Sequence, residues 1–402
     1  MLAMISAIMA LMAMGIDMLL PAFDDIRDAY DLSGGSSQAG QTITIFFLGL
    51  AVGQLFFGPL ADRYGRKATL YGAMAVYVVA AIGSVYAPSF GALLVTRFVW
   101  GIGAAGSRVI ATAIIRDVFA GPAMARAMSQ IMAVFVLVPI VAPTLGAGLI
   151  AFLPWRSIFW FCVVWAFVIG LWSLRLRETL NPDDVRPLDV RTMVGGYKTV
   201  ARTRVTMGYS LAGVFLQGVF TAYLASSESM ITDIFGRDEA EFPFVFGAIA
   251  ILFGVGALAN GRAVQVWGIE RTITRVMRVQ VVLAVVLVVS ALLDDGTPSF
   301  WFFMPTLGLL LSTFMFLMPN LNAAAMEPVG RLAGTASAFT GAIRMAFGAV
   351  LGTIISSQVD TTVTPFAVGT AVMVACVLIT VSVVRFRVAR SGVPPMVEPV
   401  TV

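Results

Sequence analysis

The chain has 402 residues, 59% hydrophobic and only 12% charged, with 26 Lys and Arg against 22 Asp and Glu for a net charge of +4. Soluble domains carry about 25% charged residues, so this composition, with a mean hydropathy of +0.92, excludes an ordinary soluble enzyme or nucleic-acid-binding module and indicates an all-α membrane protein. There is no histidine, which removes imidazole metal sites and proton relays and leaves Asp and Glu to carry any protonation chemistry.

The apolar runs are solid stretches of about twenty residues, without the alternation of a membrane β-barrel. They predict twelve helices, at 2–22, 38–60, 68–87, 90–115, 125–152, 157–176, 207–234, 242–264, 272–293, 299–325, 333–357 and 364–387. The only long polar connection, 177–206, falls near the middle. This gives a six-helix bundle at 1–176, a linker at 177–206, and a second six-helix bundle with a short tail at 207–402. The first run leads into Asp24 and Asp25 without an Ala-x-Ala site, so no cleavable signal peptide is expected.

Ionisable residues at membrane depth cost roughly 2.5–3.5 kcal/mol each on insertion scales and mark function first. Asp17 lies late in the first predicted helix, in the outer third of the membrane. Arg97 enters from the other side on the fourth and reaches a similar height. The two read either as an acid and base facing a central cavity or as a structural ion pair. Arg108, nearer the end of the same helix, reads as a snorkelling cation. Between the second and third helices, GPLADRYGRKATL (58–70) packs Asp62, Arg63, Arg66 and Lys67 between two apolar segments. Gly58 and Gly65 are expected to turn the chain there.

The fifth helix carries Pro139, Pro143, Gly146 and Gly148, which suit either a gate or ordinary close packing. Glu228 sits near the outer end of the seventh, facing a cavity or marking the water interface. Gly261 and Gly268 repeat the spacing of Gly58 and Gly65, 203 positions on, with Gln265 in the place of Asp62; the halves read as related copies that rock about a central site. Asn320 in the tenth helix needs a hydrogen-bonding partner, from another helix or a ligand. Arg344, at mid-depth in the eleventh, reads as a substrate contact, a partner for an acid, or a snorkelling cation. Phe46, Met132, Phe135 and Met315 are candidates for an adaptable apolar wall, though lipid contact or helix packing suits each alone. Cys162 and Cys376 read as packing residues.

Twenty of the 26 basic residues fall on one side if both termini are cytoplasmic, and only Arg27, Arg156 and Arg237 fall on the other. The positive-inside rule therefore favours cytoplasmic ends.

These residues resemble the major facilitator superfamily. GPLADRYGRK is similar to its loop between helices 2 and 3. Arg97 within LLVTRFVWGIGAAG resembles the helix 4 motif whose Arg is linked to proton coupling. APTLGAG resembles the antiporter motif of helix 5, with Ala142 and Ala147 in place of glycines. Asp17-Met-Leu-Leu-Pro21, the IIRD at 114–117, PWRSIF and PNLNAAAMEPVGRLAGTASA are similar to the Bcr/CflA-type drug:proton antiporters. The resemblance implies a bacterial inner-membrane exporter that exchanges protons for small amphipathic compounds, with no cofactor beyond the proton gradient and no catalytic residues. It implies a coupling role for Asp17 and a cytoplasmic charge relay of Asp62, Arg66 and Asp117. Glu228 and Arg344 depart from the pattern. A monomer in the lipid bilayer is expected. An exporter of an endogenous metabolite shares the same scaffold, and a non-transporting membrane sensor is a more distant alternative.

Overall fold

The structure is a computed structural model that describes residues 1–32, 37–119, 121–181, 185 and 189–390. Among these residues the chain forms helices without strands: α1 (Leu2–Asp17), α2 (Phe23–Ala29), α3 (Ser37–Tyr64), α4 (Arg66–Val85), α5 (Phe90–Val118), α6 (Gly121–Ile150), α7 (Ser157–Ser173), α8 (Val190–Arg202), α9 (Arg204–Ser229), α10 (Phe242–Leu293), α11 (Phe300–Met326), α12 (Ala333–Ser356) and α13 (Thr364–Arg390). Nine helical stretches among the described residues are long and apolar enough to cross a membrane, and α7 and the Leu137–Ile150 part of α6 are shorter apolar helices. The 52-residue α10 is two spans, because Gly268 (φ 75°, ψ 165°) interrupts it. With α10 counted as two, the described residues hold an apolar helix at each of the twelve expected positions.

Three boundaries differ from expectation for identifiable reasons. The first helix stops at Asp17 instead of running to residue 22, and a 3-10 turn, Leu20–Ala22, follows. Pro21 lacks the N–H that would bond the Asp17 carbonyl, and its ring blocks the same turn. At the charged turn, α3 continues through Gly58 and Pro59 to Tyr64, so Gly65 alone reverses the chain, with φ at 91°. That left-handed backbone favours glycine, and Gly268 repeats it 203 residues later with φ at 75°. Finally, the linker contains α8, which lays Tyr197 on Phe339 of α12 at 5.3 Å between ring centroids.

The helices pack as two compact units: Met1–Val190 with Leu224–Gly247, and Arg191–Tyr223 with Ala248–Val402. In the first, α5 is the central helix. A β-carbon at Gly101 would collide with the Phe46 carbonyl and stand 3.0 Å from Leu50 N; one at Gly103 would stand 2.5 Å from Tyr77 N. Small residues let helix backbones approach closely in lipid, and here they press α5 onto α3 and α4. In the second unit, residues of α9, α10, α11 and α13 share an apolar core around Leu216, Ile273, Leu317 and Val381.

Gly103→Val is expected to destabilise the chain by about 1–3 kcal/mol or more through overpacking, read as lost monodisperse protein on detergent gel filtration. Gly72→Val meets no atom within 4 Å of its β-carbon and is expected to leave that yield unchanged.

Candidate functional site

The centre of the first unit is Arg97, completely buried. Its Nη1 donates to the Gly15 carbonyl (2.8 Å) and its Nε to the Thr42 carbonyl (3.4 Å). Its guanidinium lies 4.5 Å from the Phe46 ring and 4.9 Å from the Trp100 ring. Cation–π contacts strengthen when desolvated, to about 2 kcal/mol. The last turn of any helix leaves carbonyls without an intrahelical donor. At the end of α1, the Met18 N–H goes to Met14 and the Leu19 N–H to Ile16, so Arg97 supplies a donor to the Gly15 carbonyl between them. One turn earlier, Tyr77 donates to the Leu11 carbonyl (3.1 Å). Two side chains from α4 and α5 thus grip the backbone of α1.

Asp17, the last residue of α1, is buried at 5% exposure, and its carboxyl makes no hydrogen bond or ion pair among the described residues. Its neighbour Met18 lies directly beneath α6: a β-carbon at Gly146 would collide with the Met18 carbonyl and stand 3.1 Å from Pro21. Pro139 and Pro143 lie inside the same helix. The structure therefore gathers Asp17, Arg97, Phe46 and Gly146 around the end of α1. The side chains of Met132 and Phe135 lie outside the described residues.

The charged turn forms a second cluster in the same unit. Arg66 Nη1 meets Asp62 at 2.5 Å, and Arg66 Nε meets Asp117 at 2.8 Å. The Thr179 hydroxyl donates to the same Asp117 oxygen, Oδ2, at 3.1 Å. Glu178, which residue-type reasoning passed over as part of a polar linker, completes the cluster. Its carboxylate accepts the N–H groups of Arg66 (2.9 Å) and Lys67 (3.1 Å) at the start of α4, and those of Thr179 and Leu180. A β-carbon at Gly65 would stand 2.6 Å from Glu178 Oε2, so the glycine makes room for the cap as well as for the turn. Partial burial pushes the Glu178 carboxyl up, but the four backbone donors outweigh it and hold it below its ordinary value of 4.5. The signal in the sequence was an acid, Glu178, directly after the basic pair Arg175 and Arg177.

Three other expected residues lie apart from these clusters. Glu228, in the first unit, is buried at 3% exposure and accepts from Thr232. In the second unit, Asn320 donates to Asn260 Oδ1 (2.8 Å) and to the Phe316 carbonyl (2.7 Å), so its amide is satisfied between α10 and α11. Arg344 on α12 is half-buried, rests its stem against Gly213 of α9, and is not a free cation.

A profile of the Major Facilitator Superfamily matches residues 5–353. The chain belongs to the major facilitator superfamily. It is similar to a bicyclomycin resistance protein homolog of Haemophilus influenzae, 30% identical over 385 residues, covering 94% of this chain and 93% of that one. It also resembles a chloramphenicol resistance protein of Pseudomonas aeruginosa, 26% identical over 81% of this chain and 74% of that one. Among solved structures, the xylose transporter XylE from E. coli superimposes with a TM-score of 0.73 at 11% identity, over 99% of this chain and 98% of that one. The major facilitator fold, two six-helix bundles, is thereby established, and the chain is a multi-pass membrane protein.

Glu178→Ala is expected to cost about 1 kcal/mol, the usual loss of a helix N-cap, as a lower melting temperature of the detergent-solubilised protein. The contribution of Glu178 is complete above its unfolded-state value and is lost as pH falls through the depressed folded-state value. The gap between the variant and the parent should therefore close in acid.

Proposed function

We propose that this transporter exports small amphipathic, drug-like compounds from the bacterial cytoplasm in exchange for protons, by alternating access across the inner membrane. The protein lies in the bilayer as a monomer with both termini cytoplasmic, and residues 177–206 join bundles at 1–176 and 207–402. The resistance proteins among its relatives support drug export. Their names concern other chains, and the coupling chemistry rests on this chain's own residues.

The observation that carries the reading is the buried carboxyl of Asp17 at the end of α1, two residues past the carbonyl that Arg97 holds. A helix C-terminus carries a partial negative charge of about −0.5, and a buried carboxylate without a partner loses its solvation. Charge on Asp17 is therefore costly in this arrangement, and a proton relieves the cost. Arg97, which holds the carbonyl two residues earlier, is the cation that answers the ionised group, and answering it requires releasing the Gly15 carbonyl. Protonation thus biases how α1 sits on α5, and through Met18 and Gly146 how α1 sits on α6. Exchange follows if a substrate prefers one of the two arrangements. Pro139, Pro143 and Gly146 act as the gate. Phe46 serves chiefly as a wall of the Arg97 site. Asn320, Arg344, Glu228, Met132 and Phe135 remain candidates for the substrate path.

Asp62, Arg66 and Asp117 act as a cytoplasmic latch that steadies the outward-facing arrangement, with Glu178 fixing the start of α4 beneath it. Arg66→Lys keeps the charge but loses the forked geometry.

The test uses inside-out vesicles and a growth-inhibition panel with the protein overexpressed. An uncoupler is expected to abolish uphill transport of the compounds to which the protein gives resistance, and Asp17→Asn to reduce it to a small but measurable residue. Full proton-driven transport by Asp17→Asn would overturn the coupling role.

A further inference from the structure

We propose that Glu228 is a second proton-binding carboxyl, reached from the protein surface through Asp233 and Thr232. The proposal extends the proton-coupled reading above and uses residues remote from Asp17 in sequence.

The geometry is that of a short relay. Glu228 is buried at 3% exposure, and its Oε2 has no hydrogen-bond partner among the described residues. The Thr232 hydroxyl rests 3.0 Å from the Glu228 backbone carbonyl and lies 3.3 Å from Glu228 Oε1 and 3.3 Å from Asp233 Oδ1, so a small rotation turns its proton to either carboxyl. The Asp233 side chain is 39% exposed. A surface carboxylate, a bridging hydroxyl and a buried carboxyl therefore follow one another within hydrogen-bonding reach.

The backbone makes this possible. After α9 ends, Met230–Ile234 winds as a π-helical turn, with the Phe235 N–H donating to the Met230 carbonyl. Such turns are rare and occur often at functional sites. Here the turn sets Thr232 between its two acidic neighbours. Arg27 from α2 holds the turn at Asp233 (3.3 Å) and also pairs with Asp24. The charged groups that bear on Glu228 are Arg27, Asp233 and Glu239. α3 packs its Gly40 against Ala225 and has no charged residue before Asp62. With Arg27 committed to Asp24 and Asp233, no described cation pairs with Glu228, so an ionised carboxylate there would be buried without a counter-ion.

The transfer balances. A proton on Asp233 passes to the Thr232 oxygen as Thr232 gives its own hydroxyl proton to Glu228 Oε1. One O–H bond breaks and one forms at each step, and the hydroxyl is restored. Release runs the same path backwards. With both termini cytoplasmic, this surface faces the periplasm, the side from which driving protons arrive.

The test is infrared difference spectroscopy on the full chain in liposomes after a pH step, following the C=O stretch of protonated carboxyls. The parent and Asp17→Asn should both show a band that Glu228→Gln lacks. Thr232→Val should keep the band but slow its response on the order of tenfold or more, the scale of a lost proton donor. A Glu228→Gln spectrum identical to the parent's would overturn the site. An unslowed Thr232→Val would overturn the relay. Should Glu228→Gln fail to fold, Thr232→Val and Asp233→Asn must both slow a band that persists in Asp17→Asn, and unchanged rates in both would overturn the proposal. Loss of uphill transport in Asp17→Asn tests the Asp17 reading separately, so the two fail independently.

Discussion

A guanidinium sealed in a helical bundle with no carboxylate partner among the described residues is the constraint on which the first unit is built. Arg97 is completely buried, and taking a charge out of water costs several kcal/mol unless other groups answer it. The answer comes from two backbone carbonyls, at Gly15 and Thr42, and two aromatic faces, Phe46 and Trp100. Each needs the helices close together. The glycines of α5 supply that closeness, and the T-shaped contacts of Trp100 with Tyr77 (5.3 Å) and Phe159 (5.5 Å) extend it to α4 and α7. Removing a glycine or the arginine disturbs the same object.

The position of Asp17 follows from that packing. α1 ends where Pro21 forbids another turn, which exposes carbonyls that Arg97 can take. The carboxyl at the same terminus follows, two residues on, the carbonyl that Arg97 already holds. In the proposed mechanism this terminus is bistable: Arg97 serves the carbonyl when the acid is neutral and is called upon by the acid when it is charged. Packed interfaces switch between such arrangements more readily than they deform continuously.

Much of this was legible in the residues. Twelve spans followed from apolar runs, and the partnership of Asp62, Arg66 and Asp117 followed from a motif. The repeat of Gly65 in Gly268 appeared as spacing, and the structure gives it a cause in the shared positive φ. What stayed hidden depends on backbone atoms. No residue type announces that Gly15 and Thr42 will offer carbonyls to Arg97, or that Glu178 will collect N–H groups from the start of α4. Helix ends were hidden for a similar reason: Pro59 lies within α3 although Pro21 stops α1, and a run of apolar letters does not distinguish them. The helix inside the linker, α8, is only weakly apolar and is seated by contact with α12.

The most direct measurement is a double-mutant cycle on uphill transport in inside-out vesicles, using a compound identified by the resistance panel, with Asp17→Asn, Arg97→Lys and the combined variant. Residues that share one switch couple by about 0.5–3 kcal/mol. The expected result is that the combined variant is no worse than the poorer single variant. Losses that simply add would mean that Asp17 and Arg97 act independently, which contradicts a proton on one controlling the hold of the other.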